Sequence, residues 1–269
     1  MTILEIPFGE LNEPRDIIAQ IFSGSLRGVI VRGLLSPDMV AEMVRQFDRH
    51  GRSLPTFSPP VFKGYVIGRP LVSAADGLDG YLEEADRFRT GSAALWADYP
   101  QVEQRIHDAL ALIAGTLGVS VPHGKDGRSY LAATVRVLIE GDRLPLHYEN
   151  ETFGNPAMDA LRPTLDMSTL MSFYIPLATS PSGGLLRLFE TSCLDGGDSL
   201  IDRLGGEERA RPYFEEHGFA TVLPGIGDLF IFDGGRWYHD VTPIEGGTRW
   251  TLGGFLALTS DHRTVHYWS

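Results

Sequence analysis

The stretch "GDLFIFDGGRWYHDVTPIEGGTRWTLGGF", residues 227–255, decides the reading of the fold. It holds an apolar run, a glycine turn at Gly234 and Gly235, a second run carrying His239, a Pro/Gly-containing loop, and a third run carrying Arg249 and Thr251. Short apolar and aromatic runs bounded by Gly, Pro and Asp read as strands joined by tight connections. The same texture extends in both directions from about residue 129 to the end: "SYLAATVRVLIEG", "LPLHYENETF", "STLMSFYIPLAT", "GGLLRLFE", "FATVLPG" and, last, "TVHYWS". So many runs at short spacing predict an antiparallel barrel or sandwich.

Upstream the pattern is helical. "EPRDIIAQIF" and "SPDMVAEMVRQFDRHG" flank a strand, "RGVIVRGLL"; the second helix has Ser36 as N-cap, Pro37 at its first position and Gly51 as a stop. Two more helical patterns lie in "YLEEADRFRTGSAALWADY" and "PQVEQRIHDALALIAGTLGV". Between them, residues 52–80 are rich in Pro, Gly and Ser with scattered aromatics, and a loop of that length and composition reads as a lid over a site. The class is therefore α+β: a β-barrel braced by N-terminal helices. One domain is expected over 1–269, with 1–120 mainly helical support and lid and 129–269 the barrel core.

The stretch "LPLHYENETF", residues 144–153, places His147, Glu149 and Glu151 at alternate positions in what otherwise reads as a strand. Residues i and i+2 of a strand share a face, with Cα atoms roughly 6.5–7 Å apart. His147 and Glu149 can thus converge on one point, and His239 supplies a second imidazole. Two histidines and one carboxylate on barrel strands fill one face of an octahedron, the arrangement of non-haem Fe(II) oxygenases. Asp233 and Asp240 are weaker candidates for the carboxylate. Asp233 opens a Gly-Gly turn, where Asp bonds its own backbone, and Asp240 faces away from His239.

Oxygenases with such a site commonly use 2-oxoglutarate, whose far carboxylate needs a partner, and a guanidinium offers a planar two-donor fork. Arg249 fits that role if its strand pairs with the strand of His239 through an odd loop near Glu245. Thr251 would then lie opposite His239 and Arg249 opposite Val241; an even loop would turn Trp250 inward instead. The alternation favours the first register, because Trp250, Leu252 and Leu256 make a core-facing set. Thr134, Arg136 and Tyr174 could contact the co-substrate or substrate. Phe62, Tyr65, Ile67 and Phe88 could cover the site, and Asn150 follows the ligand pair.

The 269 residues carry a formal net charge of −12. Nucleic-acid binding draws on clustered Lys and Arg, and no such cluster exists. Cys193 is the single cysteine, which excludes an internal disulfide and suits a reducing compartment. No basic and apolar leader and no apolar run of membrane-spanning length is present, so a cytoplasmic protein that does not act at membranes is expected.

"RGVIVRGLL", "ATVRVLIEG", "SFYIPL", "GDLFIFDGGRWYH", "TLGGFLAL" and the terminal "YWS" together carry a resemblance over nearly the whole chain. In these segments it resembles the Fe(II)/2-oxoglutarate oxygenase superfamily, and within it the freestanding aliphatic halogenases of the welwitindolinone and ambiguine alkaloid pathways. The resemblance implies a double-stranded β-helix, Fe(II) at His147 and His239, and 2-oxoglutarate at Arg249. The halogenases have a glycine at the position matching Glu149, and halide takes the vacated site. The carboxylate here implies hydroxylation of an aliphatic C–H in a small or medium-sized molecule, such as a specialised metabolite or amino-acid derivative. O2 is consumed and succinate and CO2 are released. Desaturation, ring formation, peptide hydroxylation and a metal-free binding module are the alternatives; the sequence leaves the substrate and the oligomeric state open.

Overall fold

The computed structural model describes residues 2–74, 77–193 and 199–269. Two sheets face one another across a shared interior. The larger runs in the order Ile3–Pro7, Gly28–Arg32, Leu229–Phe232, Met171–Ala178, Thr248–Leu258, Thr134–Ile139, Tyr65–Ile67, Thr56–Phe57. Thr264–Trp268 and Gly118–Ser120 extend it beside the second half of the Thr248–Leu258 strand. The smaller sheet runs Phe219–Val222, Leu186–Ser192, Trp237–Val241, Leu144–His147. This is the double-stranded β-helix that the family resemblance implies, and it falls within the barrel or sandwich class that the strand texture predicts.

Strict alternation builds the molecule. On the larger sheet Val29, Val31, Leu229, Ile231, Phe173, Ile175, Leu252 and Val135 point outward into the main core. There they meet Val40, Met43 and Phe47 of the helix Pro37–His50 and Val102, Ile106 and Leu110 of the helix Tyr99–Ala114. The intervening residues Ile30, Phe230, Phe232 and Leu138 point inward against Leu186, Leu188 and Val241 of the smaller sheet. Each fully buried aliphatic side chain contributes about 1.5–3 kcal/mol, so the sheet is fixed by both faces at once. The outer face of the smaller sheet is covered by the helix Glu207–His217, whose Ala210 and Phe214 pack on Phe189 and Tyr238.

The cap on Pro37–His50 forms as its sequence indicates, with the Ser36 side chain accepting the Met39 N–H at 3.2 Å. The N-terminal part is less purely helical than expected. Ile3–Pro7, Gly28–Arg32, Thr56–Phe57 and Tyr65–Ile67 all join the large sheet. The segment 52–80, expected as a lid, is anchored at its middle, and its residues 75–76 lie outside the described residues. Its anchor is Asp142, a buried carboxylate that accepts from the N–H groups of Lys63 (2.7 Å), Gly64 (2.9 Å) and Ile139 (2.9 Å). Gly64 is required there, since a Cβ would stand 1.9 Å from the Val137 carbonyl oxygen.

The expected hairpin between the His239 and Arg249 strands does not form. Trp237–Val241 pairs with Leu186–Ser192 and Leu144–His147, whereas Thr248–Leu258 pairs with Thr134–Ile139 and Met171–Ala178. The chain changes sheets in between, where Ile244–Glu245 bonds to Ser182–Gly183. Among the described residues, no helix is long and apolar enough to cross a membrane.

Candidate active site

His147 ends its strand directly opposite His239, which in turn lies opposite Leu188. Their rings stand 4.2 Å apart between centroids. Each Nδ1 faces a backbone carbonyl, Pro145 O at 2.6 Å and Trp237 O at 3.0 Å. A carbonyl can only accept, so each Nδ1 carries the proton and each Nε2 presents a lone pair to the interior.

Glu149 and Glu151 do not continue the strand as expected. Glu149 opens a 3-10 turn over Glu149–Gly154, and Glu151 on that turn is exposed. The turn is set by the Glu149 N–H, which donates to the Gly234 carbonyl at 2.8 Å. The convergence survives nonetheless, because Tyr148 is still extended (φ −139°, ψ 147°). Glu149 Oε1 lies 3.8 Å from His147 Nε2 and 3.4 Å from His239 Nε2, and it accepts from Ser172 Oγ at 2.8 Å. The three ligand atoms all lie within 4.8 Å of one another. Burial opposes ionisation of Glu149, but the positive charge that the two imidazoles carry when Nε2 is protonated as well outweighs it and holds the carboxyl well below its ordinary range. Two imidazole nitrogens with their protons fixed elsewhere, and one ionised carboxylate, are a donor set that fits Fe(II).

The glycines of the turn make room for this arrangement. A Cβ on Gly234 would sit 2.8 Å from Glu149 Cγ, and one on Gly235 2.2 Å from Asn150 Oδ1. Asp233 and Asp240 stand elsewhere. Asp233 accepts from Thr169 and from the Arg236 N–H, while Asp240 is gripped by Arg187 and Arg211 on the outer face.

The cluster opens into a cavity of about 380 Å³ between the sheets. The inner face of the large sheet lines it with Ser172, Tyr174, Thr134, Arg136, Arg249 and Thr251. Arg249 and Thr251 are buried despite the different strand pairing, because the inner face of one sheet looks onto the other. The Arg249 guanidinium carbon is 5.3 Å from the Tyr174 ring centroid, and burial lowers its pKa from the ordinary value. Burial likewise pushes the Tyr174 phenol up to about 12. Thr134 Oγ1 shares a hydrogen bond of 2.6 Å with Ser269 Oγ, also on the wall.

Four expected substrate contacts are elsewhere. In the strand Tyr65–Ile67 the phase is one residue off: Val66 faces the cavity, while Tyr65 and Ile67 face the helix side, Tyr65 under Arg52 (4.1 Å) and Ile67 in the core. Phe88 is buried against Phe47 and Tyr99 in the helical layer. Asn150 is a structural bracket, donating to Ser168 O at 3.0 Å and accepting from Leu170 N at 2.8 Å. Apolar residues of the anchored segment form the wall instead, among them Phe57, Pro59, Val61 and Phe62, with Leu144 and Phe255 from the barrel. Sequence reading passed over Ser172, although it alternates with Tyr174 on "SFYIPL".

Comparison with known proteins agrees with this picture. No curated protein sequence matches the chain. Among solved structures, an N-substituted L-amino acid dioxygenase from Burkholderia ambifaria AMMD superposes with a TM-score of 0.54 at 14% identity. The match covers 94% of this chain and 90% of that one. The non-haem alpha-ketoglutarate-dependent epimerase SnoN from nogalamycin biosynthesis superposes with a TM-score of 0.50 at 13% identity, over 90% and 80% of the two chains. At such identities these likenesses speak for the fold. The family model described as carrier-protein-independent halogenase WelO5 matches residues 1–269. Since that match spans every element just described, the chain belongs to the WelO5 family and is a non-haem Fe(II)/2-oxoglutarate-dependent oxygenase.

Proposed function

We propose that this oxygenase hydroxylates an unactivated aliphatic C–H of a small or medium-sized molecule and does not halogenate. The observation that carries the reading is Glu149. Its carboxylate reaches the point on which the two imidazoles converge, 3.4 and 3.8 Å from their Nε2 atoms, and Ser172 holds it there. Where the resembling halogenases have a glycine, this chain fills the position with its own ligand.

In this reading His147, Glu149 and His239 hold Fe(II), and Arg249 meets the far carboxylate of 2-oxoglutarate beside Tyr174 and Thr251, with Thr134 on the same wall. Fe(II), 2-oxoglutarate and O2 together supply the oxidising power, with succinate and CO2 released. The chain supplies position. The carbonyls of Pro145 and Trp237 fix both imidazole tautomers. The apolar residues of the wall, among them Phe57, Phe62, Leu144 and Phe255, give the hydrocarbon part of a substrate a surface to pack on. A cavity of about 380 Å³ between the sheets suits a small molecule better than a polypeptide. One domain spanning the two sheets and their helices is part of the same proposal.

The test is an anaerobic titration of metal-free protein with Fe(II) and then 2-oxoglutarate, followed through the visible charge-transfer band of the chelate. The wild type should develop the band. Arg249→Ala should need roughly ten- to a hundredfold more 2-oxoglutarate, the loss of a charge-assisted pair. Glu149→Ala should bind Fe(II) more weakly. Chlorinated product from the unmutated protein in chloride would overturn the assignment of Glu149.

A further inference from the structure

Away from Arg249, the wall of the cavity carries two hydroxyls that the reading above leaves without a task. Thr134 Oγ1 and Ser269 Oγ lie 2.6 Å apart, both residues line the cavity, and they are only 6% and 3% exposed. Each hydroxyl has one proton to donate. Their mutual bond uses one, whichever oxygen gives it, and the other proton has no partner among the described residues. Buried donors in proteins are nearly always paired. The register brings two apolar residues of the wall beside the pair: Val66, across from Arg136 on the strand of Thr134, and Phe255, across from Trp268 next to Ser269. A substrate that drives water from this wall must therefore bring an acceptor for the remaining proton.

Both hydroxyls are held in place. The Thr134 methyl packs toward Gly68, where an added Cβ would come within 2.9 Å of it, and this turns Oγ1 the other way, to Ser269. Ser269 is fixed by its main chain: its N–H donates to Leu131 O at 2.8 Å, and its oxygen accepts from the buried Tyr81 hydroxyl at 2.6 Å. Tyr81 in turn accepts from the Leu131 N–H at 2.9 Å. Such a closed set of bonds presets a polar group before any ligand arrives. The pair also stands apart from the proposed 2-oxoglutarate contacts. Gly253 separates Thr134 from Tyr174, two strand spacings or roughly 10 Å apart. Arg249 lies opposite Leu138, four residues or roughly 13 Å farther along the strand. In the other direction Phe255, opposite Ser172, marks the level of the metal ligands, one same-face step from Gly253.

We propose that Thr134 and Ser269 form the polar half of the substrate site and bind a neutral carbonyl oxygen on an otherwise apolar molecule. The inference rests on the Fe(II)/2-oxoglutarate reading and names the substrate class for it. One hydroxyl proton satisfies one carbonyl oxygen and brings no charge to match an ion. The pair and the metal ligands stand on different strands at different levels. The carbonyl and the oxidised C–H thus belong to different parts of the substrate, with a rigid apolar skeleton between them.

The test uses the full chain, anaerobic and loaded with Fe(II) and 2-oxoglutarate, as wild type, Thr134→Val, Ser269→Ala and the double variant. Valine keeps the shape and the methyl contact of Thr134 and removes only the hydroxyl. The probes are three rigid ketones, camphor, 2-decalone and 2-adamantanone, each beside the hydrocarbon of its skeleton, bornane, decalin and adamantane. Binding is read by the shift of the charge-transfer band. At least one ketone should bind the wild type roughly three- to tenfold more tightly than its hydrocarbon. That preference should fall in part in either single variant, where one hydroxyl remains, and vanish in the double, with 2-oxoglutarate affinity unchanged throughout. Should the double variant not fold, the single variants carry the test, and a preference undiminished in both counts against the proposal. A wild type that favours no ketone, or a preference that survives in the double variant, overturns it. So does a tenfold fall in 2-oxoglutarate affinity in either single variant, which would place the hydroxyls at the co-substrate. Absence of any band in iron-loaded wild type would instead sink the co-substrate reading itself.

Discussion

His147 and His239 are prepared for metal binding by atoms that never touch a metal. Their Nδ1 protons are taken by backbone carbonyls two residues upstream, so the tautomer follows from the strand geometry itself. Ser172 plays the equivalent part for the carboxylate, and its hydroxyl is, among the described residues, the one neutral donor on Glu149 Oε1. Removing it should leave the fold intact and free the carboxylate to turn. Ser172→Ala is expected to weaken Fe(II) binding by roughly tenfold, measured by competition with a chelator dye, and Ser172→Thr should restore most of it. An unchanged Fe(II) affinity in Ser172→Ala would mean that the imidazoles and backbone alone hold Glu149. Legibility at this scale was uneven for physical reasons. His147, Glu149, His239 and Arg249 announce themselves because charged and imidazole groups are costly in apolar strands. Ser172 is silent, since a serine on an inward face costs little and needs no partner to be tolerated.

The Asp-Gly-Gly turn shows how an element serves the site. Gly234 accepts the Glu149 N–H on its carbonyl and leaves the space that the Glu149 side chain crosses. Gly234→Ala adds a Cβ 2.8 Å from Glu149 Cγ and 3.2 Å from Ser172 Oγ, and both must move. The substitution should cost about 1–3 kcal/mol of stability and lower Fe(II) affinity markedly. Gly154→Ala, whose added Cβ meets nothing within 4 Å, is the control, and chemical denaturation beside Fe(II) titration separates the two effects. If Gly234→Ala binds Fe(II) as wild type does, the close approach is not what positions the ligand. Alternation made the long strands readable, because eleven residues of Thr248–Leu258 fix which side chains face inward. It failed for Tyr65–Ile67, where three residues are too few to set a phase. Nor could it tell which sheet a strand would join. Thr251 and Arg249 were placed on the correct face for a pairing that does not exist, since Ile244–Glu245 leaves the smaller sheet and the chain crosses over.

At the scale of the whole molecule, the metal-ligand strands are braced from behind. The helix Glu207–His217 carries Glu207, which receives both Arg143 and the N–H of Leu146 (3.2 Å), at the head of the His147 strand. On the same helix Arg211 grips Asp240, the neighbour of His239, together with Arg187. One helix thereby ties both histidine strands from the outer face, an arrangement hidden from pattern reading because each partner is an ordinary surface-type charge in sequence. Burial works against ionisation of Glu207, but Arg143, the Leu146 N–H and Arg211 prevail and bring its pKa down to about 2. The sign follows from linkage. A carboxyl whose folded pKa lies below its unfolded value of about 4.3 stabilises the fold at every pH above that value, here by about 1 kcal/mol once solvent screening of these part-exposed pairs is included, and the contribution drains away as pH falls from about 4.3 toward 2. Glu207→Gln removes it. Urea denaturation at pH 7 should show the variant less stable, and the gap should narrow through pH 4 and 3 because the wild type loses what the variant never had. A gap that stays constant across that range would assign the loss to packing and hydrogen-bond geometry at the helix, with the charge of Glu207 contributing nothing to the brace.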